Sequence, residues 1–241
     1  MFGRSASQGF LMEICIESLL EGAQRAAGSV AVIDVFRAFT TAAVALANGA
    51  SRIIIVGTVE EALALRDVGI AHICIGEVRG RAPPGFDFGN SPFEVSQIEF
   101  RGKTIVQRTS AGTQGIVAAN QAERLYAASL VTAGATARAL LSGPPGRITL
   151  VAMGNNGVVR SDEDELCALH LRNLLEGRPG DLQAVRRVIL AGSEAGRFRD
   201  PTRPHFHPRD LDIALEIDRY DFAIRVNLEE GRPVGRIEAT R

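Results

Sequence analysis

Short apolar segments rich in β-branched residues alternate with segments of helical pattern, and this alternation limits the possible folds more than any other feature. The clearest pair is residues 30–35 (VAVIDV), which have the composition of a buried strand, followed by an alanine-rich helix over residues 38–48. Strands that alternate with helices form a largely parallel sheet covered by helices. We therefore predict a three-layer α/β/α fold with a largely parallel sheet.

The same patterns predict the remaining elements of this fold. Further strands are expected over residues 52–56, 71–75, 103–107 and 147–153, with a short one over 129–131 and closing strands over 222–226 and 234–238. Helices are expected after the N-cap Thr58, from about Ile116, and over residues 133–141, 162–175, 182–191 and 210–217. Residues 193–208 are polar and are expected to form a loop.

Composition limits the class of protein and its surroundings. The 241 residues carry a net charge of −1, which gives no reason to expect nucleic acid as a partner, and no apolar run is long enough to span a membrane. The three cysteines form no CxxC pair and the N-terminus has no apolar core of a signal peptide, so we expect a cytoplasmic protein. We predict one domain over residues 13–241, preceded by a flexible extension over residues 1–12; a homodimer remains open.

Candidate functional residues follow the strands, where open α/β sheets place their sites. Asp34 and Arg37 follow the first strand, Glu77 follows the strand over 71–75, and Asp164 lies beyond the strand over 147–153. Carboxylates that converge at strand ends suit Mg²⁺, which binds one or two of them and keeps waters for the substrate. We predict that Asp34, Glu77 and Asp164 share one cleft.

Asp34 is the strongest single indication, because it interrupts an apolar run where an unpaired carboxylate is costly to bury. A metal ligand explains this placement, and so does an N-cap or an ion pair with Arg37. The acidic run 162–165 opens a helix, where acids also stabilise the helix dipole, so at most one of them is expected to face the site. His205 and His207 are interpreted either as a metal-binding pair or, more simply, as a surface loop.

Two loops complete the predicted site. Residues 108–115 (RTSAGTQG) combine glycines and hydroxyls before a helix, which indicates either a phosphate cradle or an ordinary capped turn, and the GK[ST] ending of a Walker A loop is absent. Residues 78–92 are rich in glycine and proline, and Phe86 and Phe88 are expected to anchor them so that Asn90 and Ser91 face a ligand. A nucleotide-binding Rossmann domain is disfavoured because no GxGxxG follows the first strand.

These motifs occur in one order: IDVFRAFTT from Ile33, Gly76-Glu77, GFDFGNSP over 85–92, RTSAGT over 108–113 and SDEDELCA over 161–168. Together they resemble the ComB family of 2-phosphosulfolactate phosphatases. The resemblance implies a ComB-like α/β fold and a Mg²⁺-dependent acid phosphatase that removes phosphate from 2-phosphosulfolactate, a step of coenzyme M biosynthesis. We assign catalysis to Asp34, Arg37, Glu77 and Asp164, the metal to the three acids among them, and binding of a small phosphorylated acid to Thr40, Asn90, Ser91, Thr109, Ser110, Gly112 and Thr113.

The chain departs from the family pattern at three places. Ala111 replaces an asparagine of the family's TTNGT motif, Phe39 replaces a threonine, and Leu169 replaces a glycine. The residues expected to handle phosphate match better than those that would contact the rest of the substrate. The alternative function is therefore a non-catalytic protein that binds a small phosphorylated or sulfonated acid.

Overall fold

The computed structural model describes residues 12–178 and 180–240, and its nine strands form one sheet. Almost all of the predicted N-terminal extension lies outside the described residues. The strands are β1 (Glu13–Ser18), β2 (Gly28–Ile33), β3 (Arg52–Ile55), β4 (Ile73–Gly76), β5 (Thr104–Arg108), β6 (Ala122–Ala128), β7 (Arg147–Ala152), β8 (Phe222–Glu229) and β9 (Arg232–Ala239). The α-helices are α1 (Leu19–Arg25), α2 (Ala38–Ala47), α3 (Val59–Asp67), α4 (Pro92–Ser96), α5 (Gly112–Ala118), α6 (Ala133–Leu141), α7 (Asp162–Leu175), α8 (Leu182–Ala191), α9 (Ser193–Gly196) and α10 (Pro208–Ala214).

The sheet consists of two groups of parallel strands joined by an antiparallel hairpin. The first group is β1-β7-β2-β6 and the second is β3-β5-β4. Its strand order is β1-β7-β2-β6-β8-β9-β3-β5-β4, and β8 and β9 form the hairpin at its centre. In the first group Val32 lies opposite both Val151 of β7 and Ala127 of β6, and in the second Ile54 lies opposite Val106. The prediction of a largely parallel α/β sheet is confirmed.

Helices cover both faces of this sheet. Helices α2 and α5 pack on one face, where residues 38–46 of α2 are all buried and its four alanines in this range allow close packing on the strands. Helices α6 and α7 cover the other face of the first group, and α3 covers the corresponding face of the second. This arrangement is the three-layer architecture that the sequence predicts.

Three predicted elements are corrected. Residues 130–132 form a 3₁₀ turn rather than a strand, and β6, directly before it, was not predicted; neither was β1. The sequence of β6, AERLYAA, has no β-branched run, and its pairing with β2 and β8 overrides that weak propensity. Helix α5 begins at Gly112, four residues before the predicted start. The predicted polar loop after residue 193 contains α9 and a second 3₁₀ turn.

The glycine- and proline-rich segment 78–92 is anchored as expected. Phe86 and Phe88 are both partly buried, and they pack against buried apolar side chains on opposite faces of the second strand group. Phe88 also meets Phe100 edge to face, and its backbone bridges Ile75 of β4. No helix among the described residues is long and apolar enough to cross a membrane.

The two groups of strands meet through the residues that follow them. Helices α2 and α5 lie in one buried apolar cluster with residues of β2 and β3. The N–H of Gly112, which follows β5, donates to the carboxylate of Asp34, which follows β2, at 2.8 Å. This contact places the candidate site.

Candidate active site

A cleft of about 540 Å³ lies where the carboxyl ends of β2, β4, β5 and β7 meet the first turn of α7. Charged side chains dominate its wall. The acidic ones are Asp34, Glu77, Glu163 and Glu194, and the basic ones are Arg37, Arg79, Arg81, Arg197 and Arg203. A polar cleft with charges of both signs suits an anionic ligand bound together with a cation.

Asp34 follows β2 and lines this cleft, although its residue is only 5% exposed. One carboxylate oxygen accepts a hydrogen bond from the Ala38 N–H at 3.0 Å, and the other accepts one from the Gly112 N–H at 2.8 Å. Burial raises the pKa of Asp34 to about 6, the charge of Glu77 adds to this shift, and the two N–H groups oppose it. Asp34 therefore supports the start of α2 and also presents a carboxylate to the cleft.

Glu77 follows β4, lines the same cleft and is fixed by its neighbours. Its Oε1 accepts a hydrogen bond from the Ser110 N–H at 2.5 Å, and its Oε2 accepts bonds from the Gly80 N–H at 2.5 Å and the Ser110 hydroxyl at 3.1 Å. Since hydrogen bonds to a charged acceptor are strong, Glu77 has a defined position in the cleft.

The segment after β5, interpreted as either a phosphate cradle or a capped turn, uses four of its N–H groups within the protein. Thr109 and Thr113 are buried and bond each other reciprocally, each N–H donating to the other's hydroxyl oxygen. The N–H of Ser110 donates to Glu77 and that of Gly112 to Asp34. These four N–H groups are thus engaged within the protein, and the segment positions the two carboxylates while only Ser110 and Ala111 of it line the cleft.

Arg37 lines the cleft and pairs with a residue that the sequence did not single out. Its guanidinium donates to the Asp210 carboxylate and to the His205 carbonyl, at 2.9 and 2.8 Å, and more weakly to the Gly80 carbonyl at 3.4 Å. The ring of Phe206 lies against the guanidinium, 4.5 Å from centroid to carbon. The alternative of an ion pair between Asp34 and Arg37 is therefore not realised.

The acid of α7 that faces the cleft is Glu163 rather than the predicted Asp164. Asp164 accepts hydrogen bonds from the Val35 and Gly154 N–H groups, at 2.7 and 2.8 Å, so it ties α7 to the ends of β2 and β7. Burial, and then the charge of Glu163, raises the pKa of Asp164 well above its usual range. Burial also raises the pKa of Glu163 to about 7, so part of this carboxyl is protonated near neutral pH.

Of three further residues predicted to bind substrate, Asn90 lines the cleft, whereas Thr40 and Ser91 do not. Thr40 is fully buried and its hydroxyl donates to the Val35 carbonyl, so the structure does not bring it to the cleft. Ser91 caps α4 through the Glu94 N–H and donates to Asp210 at 2.6 Å, so it is a structural residue. Asn90 does line the cleft, and its side-chain oxygen is buried without a hydrogen-bond partner among the described residues.

The C-terminal segment supplies two arginines that the sequence reasoning missed. Arg197 and Arg203 line the cleft together with His205, although residues 193–208 were expected to form a polar loop and His205 was considered only with His207. His207 instead caps α10 by accepting from the Arg209 N–H, so the two histidines form no metal-binding pair. The sequence shows these arginines, but the segment follows no predicted strand, and only strand ends were searched for site residues.

The residues at the cleft fit a hard cation such as Mg²⁺, although not through the predicted trio of acids. No group of three or more His, Cys, Asp or Glu side chains is arranged to hold a metal among residues 12–178 and 180–240. Asp34 and Glu77 retain unused lone pairs, and the unpartnered oxygen of Asn90 adds a neutral ligand. Such an oxygen donor set is typical of Mg²⁺, which keeps several waters.

Comparison with known proteins identifies relatives over most of the chain. The family model described as 2-phosphosulpholactate phosphatase matches residues 15–197. The chain is 32% identical to a probable 2-phosphosulfolactate phosphatase of Bacillus subtilis, with 81% of this chain and 85% of that protein aligned. It is 42% identical to one of Carboxydothermus hydrogenoformans, over 88% and 91%, and 36% identical to one of Thermus thermophilus, over 71% of each. The chain therefore belongs to the 2-phosphosulfolactate phosphatase family.

Proposed function

We propose that this protein is a Mg²⁺-dependent phosphatase that hydrolyses a small phosphorylated acid, with 2-phosphosulfolactate, converted to sulfolactate and phosphate, as the first candidate. The observation that carries the proposal is the single cleft in which Asp34 and Glu77 lie with Arg37 and four further arginines. Relatives named as probable 2-phosphosulfolactate phosphatases support the reaction class.

Asp34 and Glu77 would hold the metal, with Asn90 as a neutral oxygen ligand. Both carboxylates are fixed by backbone N–H groups, so they would keep their positions when a cation binds. A bound Mg²⁺ neutralises the charge of the phosphoryl group and lowers the pKa of a bound water. We exclude Asp164 from this ligand set, because it does not line the cleft: its two oxygens accept the Val35 and Gly154 N–H groups beside it.

Arg37 would bind the phosphoryl oxygens. Its guanidinium has five N–H donors, the contacts to Asp210, His205 and Gly80 use three of them, and the residue lines the cleft. A planar guanidinium binds two phosphate oxygens at once, which a lysine cannot do. This arrangement would orient the phosphorus for attack by water while the ester oxygen leaves as the alcohol.

The outer arginines would bind the rest of the substrate. Arg81 and Arg203 are exposed. Arg203 pairs with Asp200 at 3.2 Å and Arg197 with Glu194 at 2.8 Å, but the five arginines of the cleft outnumber its four acids. The carboxylate and sulfonate of 2-phosphosulfolactate are anions that such side chains attract. A substrate with anionic groups besides phosphate is therefore expected to bind better than a simple phosphate ester.

A hydrolysis assay with purified protein tests the proposal. 2-Phosphosulfolactate and a panel of phosphorylated hydroxy acids are incubated with Mg²⁺ or with EDTA, and released phosphate is measured. We expect turnover with Mg²⁺, its loss in EDTA, and its return when Mg²⁺ is restored. Binding of these acids without phosphate release would instead support the non-catalytic alternative.

A further inference from the structure

Asp210, at the start of α10, is a buried carboxylate that lies beneath the cleft and belongs to no motif discussed above. Its side chain is 0% exposed, and that of its partner Arg37 is 2% exposed. A carboxylate buried to this degree is costly unless charge and hydrogen bonds compensate it. Its contacts therefore indicate what the protein uses it for.

Each oxygen of Asp210 contacts a different part of the site. Oδ2 accepts a hydrogen bond from the Arg37 guanidinium at 2.9 Å. Oδ1 accepts bonds from the Ser91 hydroxyl at 2.6 Å and the Phe93 N–H at 3.0 Å. One side chain thus connects the arginine of the cleft to the end of the GFDFGNSP loop and the start of α4.

The other contacts of Arg37 come from the same C-terminal segment. The His205 carbonyl accepts from the nitrogen that also bonds Asp210, and the ring of Phe206 covers one face of the guanidinium. These contacts fix the plane of the guanidinium, and a fixed plane determines where its remaining N–H groups point. Arg37 is held ready for an anion without rearrangement on binding.

We propose that Asp210 is a positioning residue that acts through Arg37: it sets the orientation in which Arg37 binds the phosphate of the substrate. The inference rests on the proposed function, since it takes Arg37 as the phosphate ligand. It also assigns the C-terminal segment a direct part in the site, through α10 and the two residues before His207.

Binding of inorganic phosphate in a double-mutant cycle tests this role. Dissociation constants are measured by calorimetry, with Mg²⁺ present, for the wild type, Asp210→Asn, Arg37→Ala and the double variant. Asparagine keeps the size of the side chain but presents no negative charge to the guanidinium. Because displacement of a positioned group by about 1 Å can cost up to ~100-fold, we expect Asp210→Asn to weaken phosphate binding by ~10- to 100-fold.

The cycle separates positioning from a merely structural effect. In the Arg37→Ala background, Asp210→Asn is expected to cause no further loss of phosphate affinity, because the side chain through which it acts is gone. The control Asp212→Asn removes an exposed carboxylate from the same helix and should leave both affinity and melting temperature unchanged. Losses that multiply in the double variant, or wild-type affinity in a folded Asp210→Asn, would overturn the positioning role.

Ser91→Ala provides a milder test if Asp210→Asn does not fold. It removes one hydrogen bond from Oδ1 and keeps the buried ion pair. We expect Ser91→Ala to lower phosphate affinity several-fold in the wild-type background and to have no effect in the Arg37→Ala background. An equal loss in both backgrounds contradicts the proposal. A wild-type protein that binds no phosphate contradicts the proposed function as well, whereas phosphate binding unaffected by either variant contradicts positioning alone.

Discussion

Gly112→Ala should disturb the site from a position outside the cleft wall. A Cβ at Gly112 would lie 2.8 Å from the Ala38 Cβ, 2.8 Å from the Asp34 Oδ2 and 3.0 Å from the Asp34 Cβ. Two of these atoms are Cβ atoms, and the Asp34 carboxylate is held by two backbone N–H groups, so the start of α5 and the start of α2 must move apart. Reaching ordinary contact requires a displacement of at least about 0.6 Å, which lengthens the 2.8 Å hydrogen bond from Gly112 to Asp34.

The size of the effect follows from these contacts. Overpacking costs ~1–3 kcal/mol, and a weakened hydrogen bond to a carboxylate adds up to ~1.5–3 kcal/mol. A total of about 3 kcal/mol lowers the melting temperature by roughly 6–12 °C in a protein of this size. Displacement of Asp34 should also lower kcat by ~10- to 100-fold.

Gly57→Ala is the matched control for this substitution. The only atom near its Cβ is the Gln114 Oε1 at 3.8 Å, an ordinary contact, so stability and kcat should remain close to those of the wild type. Melting temperature by calorimetry and phosphate release at saturating Mg²⁺ are the two measurements. A Gly112→Ala protein with wild-type values of both would refute the view that the α5 start fixes Asp34.

Three further predictions concern pH and specificity. Both ring nitrogens of His170 are buried without a hydrogen-bond partner among the described residues, and burial lowers the pKa of His170. At this residue the unfolded state therefore binds more protons below pH ~6.5, so the contribution of His170 to stability decreases as the pH falls, by up to ~1.4 kcal/mol per unit. Buried carboxyls with raised pKa values contribute in the opposite direction, so the test is a difference: His170→Leu should become more stable relative to the wild type as the pH falls from 7 to 5 in urea unfolding, and a constant difference contradicts the account. Burial raises the pKa of Asp34 to about 6, so below that pH Mg²⁺ must displace a proton from Asp34 in order to bind. The affinity for Mg²⁺, measured by calorimetry, should therefore fall by up to ~10-fold for each pH unit below 6. An affinity that stays constant from pH 5 to 7.5 speaks against Asp34 as a ligand. Arg203→Ala should raise the KM for 2-phosphosulfolactate several-fold more than the KM for a phosphate ester without another anion; equal increases would contradict a role for Arg203 in specificity.

Much of the fold could be predicted because local patterns and tertiary structure agree. The apolar and alanine-rich sequence around Asp34 predicted β2 and α2 closely, and the predicted bounds of α6 and α7 match those observed. The central hairpin was expected as two closing strands, but nothing local shows that β8 and β9 separate two parallel groups. Strand order depends on contacts between residues far apart in the chain.

The site was predicted only in part, because some of its residues are marked by local pattern and others depend on long-range packing. Strand ends marked Asp34 and Glu77 correctly as cleft residues. The sequence could not distinguish Glu163 from Asp164, because neighbours on a helix point about 100° apart and either could have faced the cleft. Asp210 and Arg203 were missed because their part in the site depends on where the C-terminal segment packs, which no spacing along the chain reveals.

The most direct test of the central claim is the turnover of Asp34→Asn, measured with Mg²⁺ and with EDTA beside the wild type. The substitution is nearly isosteric and removes the charge that would hold the cation. Since metal catalysis contributes several kcal/mol, kcat should fall by ~100-fold or more, and added Mg²⁺ should restore little of it. A folded Asp34→Asn protein with wild-type kcat and unchanged dependence on Mg²⁺ would contradict the account.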